Sequence, residues 1–181
     1  MSGARSIHTP LCIEEGFTGT DYLTQTDLTD DLELPLEEFA TKHARIYLQE
    51  RPDRSKIAAR LACSATWTVS KTMAIGDVVV TPDGTGNLYV GVVSGAYFYA
   101  PNQPLFHRRP VTWNPERLPL ATLTTPLRNS LMSLQGVISL APHAAELTRV
   151  LSERSVPRVD VLTPFDQAPD DDPVTFALER H

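Results

Sequence analysis

The chain has 181 residues, 41% of them apolar and 21% charged, enough for one medium domain with a buried core. No apolar run reaches the ~20 residues that span a bilayer, and the opening MSGARSIHTPLCIEEGF has no apolar signal-peptide core, so a cytoplasmic protein without a membrane partner is expected. Cys12 and Cys63 lack metal-type spacing and read as free, reduced thiols.

The net charge of −6 argues against a nucleic-acid partner until its distribution is considered. Residues 1–41 hold Arg5 against nine carboxylates, a balance of −8. Residues 42–135 hold eleven Lys and Arg against five carboxylates, a balance of +6. Residues 136–181 hold four Arg against eight carboxylates, a balance of −4. A basic centre between acidic ends permits binding to a phosphate backbone without demanding it. Ordinary solvated charge, unevenly spread, is an equal reading.

In chain order, residues 1–34 read as an acidic, extended lead-in that packs Phe17, Tyr22, Leu23, Leu28 and Leu32 onto the domain. Pro35 suits a first helical turn. Leu36, Phe39, Ala40, His43 and Tyr47 then recur at helical spacing and predict a helix from Leu36 to Glu50. His43 on that stripe reads as a packed histidine. Asp53 or Ser55 caps a second helix, with Ile57, Ala58, Leu61 and Ala62 expected inward. Arg54, Lys56 and Arg60 lie near one another, within reach of phosphates. Trp67 closes this stretch and reads equally as core or as one wall of a pocket. Gly76-Asp77 leads into a buried strand, Val78–Val80. Asp83-Gly84 and Gly86 signal a hairpin, with a return strand from Leu88 to Val93. A further strand holds Tyr97 and Tyr99 on one face and Phe98 on the other. His107 to Trp113 reads as a strand whose Pro110 suggests an edge or a bulge. Asn114-Pro115 opens a short helical turn to Leu118, and Thr125-Pro126 a helix with Leu127, Leu131 and Leu134 in line. Gly136 to Leu140 is expected to be a last strand closing the sheet. Pro142 then begins a helix to about Arg154, with Leu147, Val150 and Leu151 inward. From Ser155 a Pro- and Asp-rich linker leads to the beginning of another helix, VTFALERH, as if a further domain followed.

Chemistry-bearing patterns are sparse. The five histidines are scattered, without metal-type spacing. No G-x-S-x-G elbow is present, and Gly84-x-Gly86 joins two strands instead of opening a helix, so it is not a nucleotide-binding fingerprint. The expectation is a binding module without catalysis or cofactor. Trp67, Tyr97, Tyr99 and Trp113 offer flat faces, and Arg108, Arg109 and Arg128 offer guanidinium groups. Flat walls and polar groups together are what a flipped base requires, although aromatic residues on a small barrel mostly fill its core.

KIAARLACSATWTVSK, MAIGDVVVTPDGTGNLYVGVVSGAYFYAP, HRRPVTW and LRNSLMSLQGV occur in this order. Together they resemble the N-terminal domain of Mrr-like restriction-system proteins, which is similar to the PUA-like superfamily containing the EVE and YTH readers of modified bases. The resemblance covers about Phe17 to Leu151. It implies an α+β fold, a PUA-like small mixed β-barrel of about five to six strands flanked by helices, over residues 35–154. It also implies a specificity domain that holds a methylated or hydroxymethylated base of double-stranded DNA in an aromatic pocket. Trp67 would be one wall, and Tyr97, Tyr99 and Trp113 are candidates for the others. Ser64, Thr68 and Asn129 would address the base edge, while Lys71, Arg108, Arg109 and Arg128 would hold phosphates. A nuclease domain of the PD-(D/E)XK type often follows in such proteins, and its first helix resembles FALERH. A homodimer formed through that domain is compatible with the resemblance. The other reading is a sensor for a free nucleotide or small signalling molecule that controls a defence effector.

Overall fold

A computed structural model describes residues 7–132 and 137–153. The predicted linker and following helix, with Gly136 and Leu134, lie outside them. The N-terminal segment folds as helix α1 (Thr9–Glu14), strand β1 (Phe17–Thr20) and a 3-10 turn (Asp30–Glu33). Phe17, Leu23, Leu28 and Leu32 are buried as expected, and Tyr22 is half-buried. The expectation of an extended lead-in is corrected, because the segment contains a helix and because β1 is a strand of the sheet.

Helix α2 (Leu36–Glu50) has the predicted bounds and buries Phe39, His43 and Tyr47, with Pro35 at its N-cap. Helix α3 (Lys56–Trp67) is capped by Ser55, whose Oγ accepts the Ala58 N–H at 3.1 Å. Its expected inner face is corrected. Ala59, Ala62, Cys63 and Thr66 point inward, while Ile57 and Leu61 face solvent. Small side chains at the contact let α3 approach α2 closely, and that outweighs the larger apolar area of Ile and Leu. Both cysteines are free and buried, and burial pushes the Cys63 thiol up to about 11.

Strands β2 (Val78–Pro82), β3 (Asn87–Val93), β4 (Phe98–Tyr99), β5 (His107–Trp113) and β6 (Leu118–Pro119) complete an antiparallel sheet in the order β1-β5-β3-β2. β4 adds to β5 and β6 to β3, and the sheet curls into a half-barrel. The β2–β3 turn is made by the Asp83 carboxylate, which accepts the N–H groups of Thr85 and Asn87 at 2.7 and 3.1 Å. Gly84 and Gly86 supply the positive φ angles there, +81° and +95°.

Three strand expectations change. β2 lies at the sheet edge, so Val78 is 51% exposed and not buried. β5 is central, despite Pro110. Its neighbour on one side switches from β4 at Arg108 to β3 at Val111, and Pro110, which has no N–H to donate, occupies that break. Leu118 is in a strand, not at the end of a helical turn, and residues 137–140 form no strand. Helix α4 (Thr125–Leu131) buries Leu127. After a 3-10 turn, helix α5 (Ala144–Ser152) buries Leu147 and Val150, near its predicted bounds.

Three apolar clusters result among the described residues, the smallest formed by Cys12, Phe17 and Leu105. Leu23, Leu28, Phe39, Tyr47, Ala59 and Cys63 join the N-terminal segment to α2 and α3. Leu88, Val90, Leu118, Leu127, Leu147 and Val150 join β3 and β6 to α4 and α5. No described helix is long and apolar enough to cross a membrane.

Candidate functional site

The His107-Arg108-Arg109 cluster, the densest basic run of the sequence, points into the fold. His107 is fully buried. Its Nε2 lies 3.2 Å from the Thr24 carbonyl, which can only accept, so the ring proton sits on Nε2. Nδ1 then accepts the Tyr97 hydroxyl at 3.0 Å, and the Tyr97 oxygen accepts the Leu28 N–H at 3.3 Å. Burial pushes the Tyr97 hydroxyl up to about 12 and His107 down to about 4. This neutral relay ties the N-terminal segment to β4 and β5.

Arg108 donates to the carbonyls of Leu105 and Pro104 at 3.1 and 2.9 Å and pairs with Glu15 at 2.9 Å. Its guanidinium lies 3.8 Å above the Phe17 ring centroid. Arg109 donates to the carbonyls of Val69, Gly95 and Ser70 at 3.0, 3.2 and 3.1 Å. Val69 and Ser70 belong to a π-helical turn, Thr68–Thr72, that continues α3 and closes on the Met73 N–H. A π turn widens the ladder and redirects its carbonyls, and Arg109 takes two of them. The expectation that Arg108 and Arg109 hold phosphates is therefore corrected: both are buried, and every guanidinium nitrogen of each donates inside the protein. Arg128 is half-buried on α4 and donates to Thr125 Oγ1 at 3.1 Å. Lys71 remains exposed, 3.6 Å from Glu33.

Of the proposed aromatic walls, Trp67 and Tyr97 pack against the same apolar cluster, while Trp113 is engaged elsewhere. Trp67 packs on Phe39 with ring centroids 4.8 Å apart. Tyr97 and Tyr99 share a face as predicted and flank His107, at centroid distances of 6.0 and 5.9 Å, with Phe98 turned outward. Trp113 sits at the far end of β5, roughly 20 Å from His107 at ~3.3 Å per residue, where its indole N–H reaches the carbonyls of Cys12 and Phe17 at 2.9 and 3.3 Å. Ser64 is exposed on α3 and Asn129 exposed on α4.

A groove of about 490 Å³ lies elsewhere. Thr68 and Thr72 of the π turn with the adjoining Met73 form one side, and Val78 and Val79 of β2 with the preceding Asp77 the floor. Residues 137–141 and the Ala144, Leu147, Thr148 and Leu151 side chains of α5 close it. Among the expected site residues only Thr68 lines it. The sequence carried one unused signal for this site: Val137-Ile138-Ser139-Leu140, read as a strand, is an apolar segment that covers the groove without pairing.

Residues 5–141 match the family model described as Domain of unknown function (DUF8426), well over half of the chain. The chain belongs to this family. No curated protein and no solved structure matches it. The DUF8426 span begins before α1 and so includes β1, consistent with an N-terminal segment that is built into the sheet. It ends at Ala141, inside the wall of the groove.

Proposed function

We propose that this DUF8426 chain is a non-catalytic recognition domain of a modification-dependent restriction system, and that the groove beside the π turn receives a modified base of duplex DNA. The observation that carries this reading is the chemistry of the lining. The volume, about 490 Å³, falls within the roughly 300–1,000 Å³ of small-ligand sites. Met73, Val79, Ile138 and Leu147 supply aliphatic walls for the faces of a base and for an added methyl group. The hydroxyls of Thr68, Thr72 and Ser139 and the Asp77 carboxylate supply polar contacts. One Asp77 oxygen accepts the Ala74 N–H at 2.9 Å; a carboxylate is suited to accept from the exocyclic amino group of cytosine.

Among the described residues no Lys, Arg or His lines the groove. Phosphates therefore find no partner inside it and meet a carboxylate. That favours a base presented on a strand over a free nucleotide, which would bring its phosphates with it. The walls differ from the aromatic cage expected from the resemblance, and discrimination would come from aliphatic contact and hydrogen bonding.

The test is fluorescence anisotropy with duplexes that differ only in one methylated or hydroxymethylated cytosine. Modified duplex is expected to bind about tenfold more tightly, the effect of ~1.4 kcal/mol. Ala144→Phe, which fills the groove from an exposed position, is expected to abolish the difference. Equal binding of both duplexes by the intact chain would sink the reading. A melting temperature raised by free nucleotide alone, in place of that preference, would favour the sensor alternative.

A further inference from the structure

The outward face of α3 has a composition that the fold does not use. Ile57 and Leu61 are 72% and 50% exposed. Ser64 and Thr68 continue the same line at helical spacing. Lys56 and Arg60 stand exposed beside the stripe, and Arg54 precedes it. Helix α3 contains no carboxylate, and Asp53 is the single acidic residue within 51–75, against Arg51, Arg54, Lys56, Arg60 and Lys71. Among the described residues Lys56 and Arg60 have no carboxylate partner, whereas Arg54 lies 3.6 Å from Asp53.

We infer that this face of α3 is the surface on which the phosphate backbone of duplex DNA rests while a base is offered to the groove. The inference depends on the DNA reading above and adds the docking surface to it. Three points of chemistry and geometry support a nucleic-acid occupant. Uncompensated cations match a polyanion, and each phosphate they neutralise releases counterions. Exposed Ile and Leu between cations suit the apolar sugar faces of a groove, or a wedge at a base step. The stripe also leads to the site: Ile57 and Thr68 lie ~16 Å apart along the axis at ~1.5 Å per residue, the length of about five nucleotides at ~3.4 Å each. Thr68 is part of the groove lining, so a strand lying along α3 brings its bases to the groove mouth. Arg108 and Arg109 cannot serve in this role because both are buried and each of their guanidinium nitrogens already donates inside the protein.

The experiment uses the full chain and short duplexes with and without the modified cytosine, titrated at a series of salt concentrations. Replacing both Lys56→Ala and Arg60→Ala is expected to reduce the slope of log K against log salt by about 2, since each phosphate contact contributes ~0.9. The loss of affinity should be the same factor for both duplexes, so the preference for modified DNA is retained. Ile57→Ser with Leu61→Ser is expected to weaken binding without altering the slope. All four side chains are exposed, and an unchanged melting curve checks that each variant is folded. A charge variant with the parental affinity and slope overturns the inference while a retained preference leaves the base reading standing. Failure of the intact chain to bind any duplex overturns both.

Discussion

His107 offers the sharpest test of the buried relay, through the pH dependence of stability. Burial holds the folded-state pKa down at about 4, against an ordinary 6.5. Between those values the unfolded chain carries the proton and the folded chain does not, so unfolding takes up a proton and stability rises with pH. The contribution is complete above 6.5 and is lost as the pH falls toward 4. At ~1.4 kcal/mol for each pH unit of displacement, His107 accounts for roughly 3 kcal/mol across that window. Thr24 accepts from His107 and Asp27 lies near it; both oppose the depression, and His43 adds to it. His43 is itself depressed by burial against the opposing pull of Asp31, so its loss has the same sign. The depressed carboxylates of Asp27, Asp31 and Asp83 titrate below this window. The assay is urea unfolding at closely spaced pH values for the parent and for His107→Gln. The parent should lose stability progressively below pH 6.5, and the variant should lose about 1.4 kcal/mol less per pH unit. An identical slope in the variant would show that His107 is not held neutral by the fold, and the relay would have to be abandoned.

Arg109→Met removes a charged donor from three carbonyls. It should cost about 3–5 kcal/mol in denaturant unfolding, at ~1.5–3 kcal/mol for each such bond with partial relaxation, and hydrogen exchange at the Met73 amide, which closes the π turn, should accelerate. Gly91→Ala would place a Cβ 2.5 Å from Val111 Cγ1 and 2.7 Å from Trp113 Cε3. The overpacking should lower stability by about 1–3 kcal/mol, read as a lower urea midpoint. Trp67→Ala should destabilise by about 2–3 kcal/mol, less than the loss for a fully buried Trp, while leaving the preference for modified DNA intact. Loss of that preference at unchanged stability would restore Trp67 as a pocket wall.

Local periodicity made much of the fold legible. The stripe Phe39-His43-Tyr47 and the acidic first turn define α2, Asp83-Gly84 with Gly86 defines the hairpin, and the alternation Tyr97-Phe98-Tyr99 puts the two tyrosines on one face, which the fold turns toward His107. The errors share a cause. Apolar character alone predicts Ile57 and Leu61 inward, and charge alone predicts Arg108 and Arg109 outward. Hydrophobicity favours burial only where a neighbour can accept the volume. A charged group is tolerated inside where backbone carbonyls are aimed at it, as those of Val69, Ser70 and Gly95 are at Arg109.

What the chain's own order of residues determines is therefore helices α2 to α5, though not α1, together with its hairpin, the β5 strand and a basic middle between acidic ends. Those features depend on neighbours a few positions apart, where spacing and turn chemistry act directly. Tertiary structure alone decides the rest: that the arginine pair is an internal brace, that Trp67 and Tyr97 share one core while Trp113 is tied to the N-terminal segment, and that a groove opens between the π turn and α5. Such features join residues as distant as Thr68 and Leu151, whose meeting depends on how the whole chain packs and leaves no periodic trace.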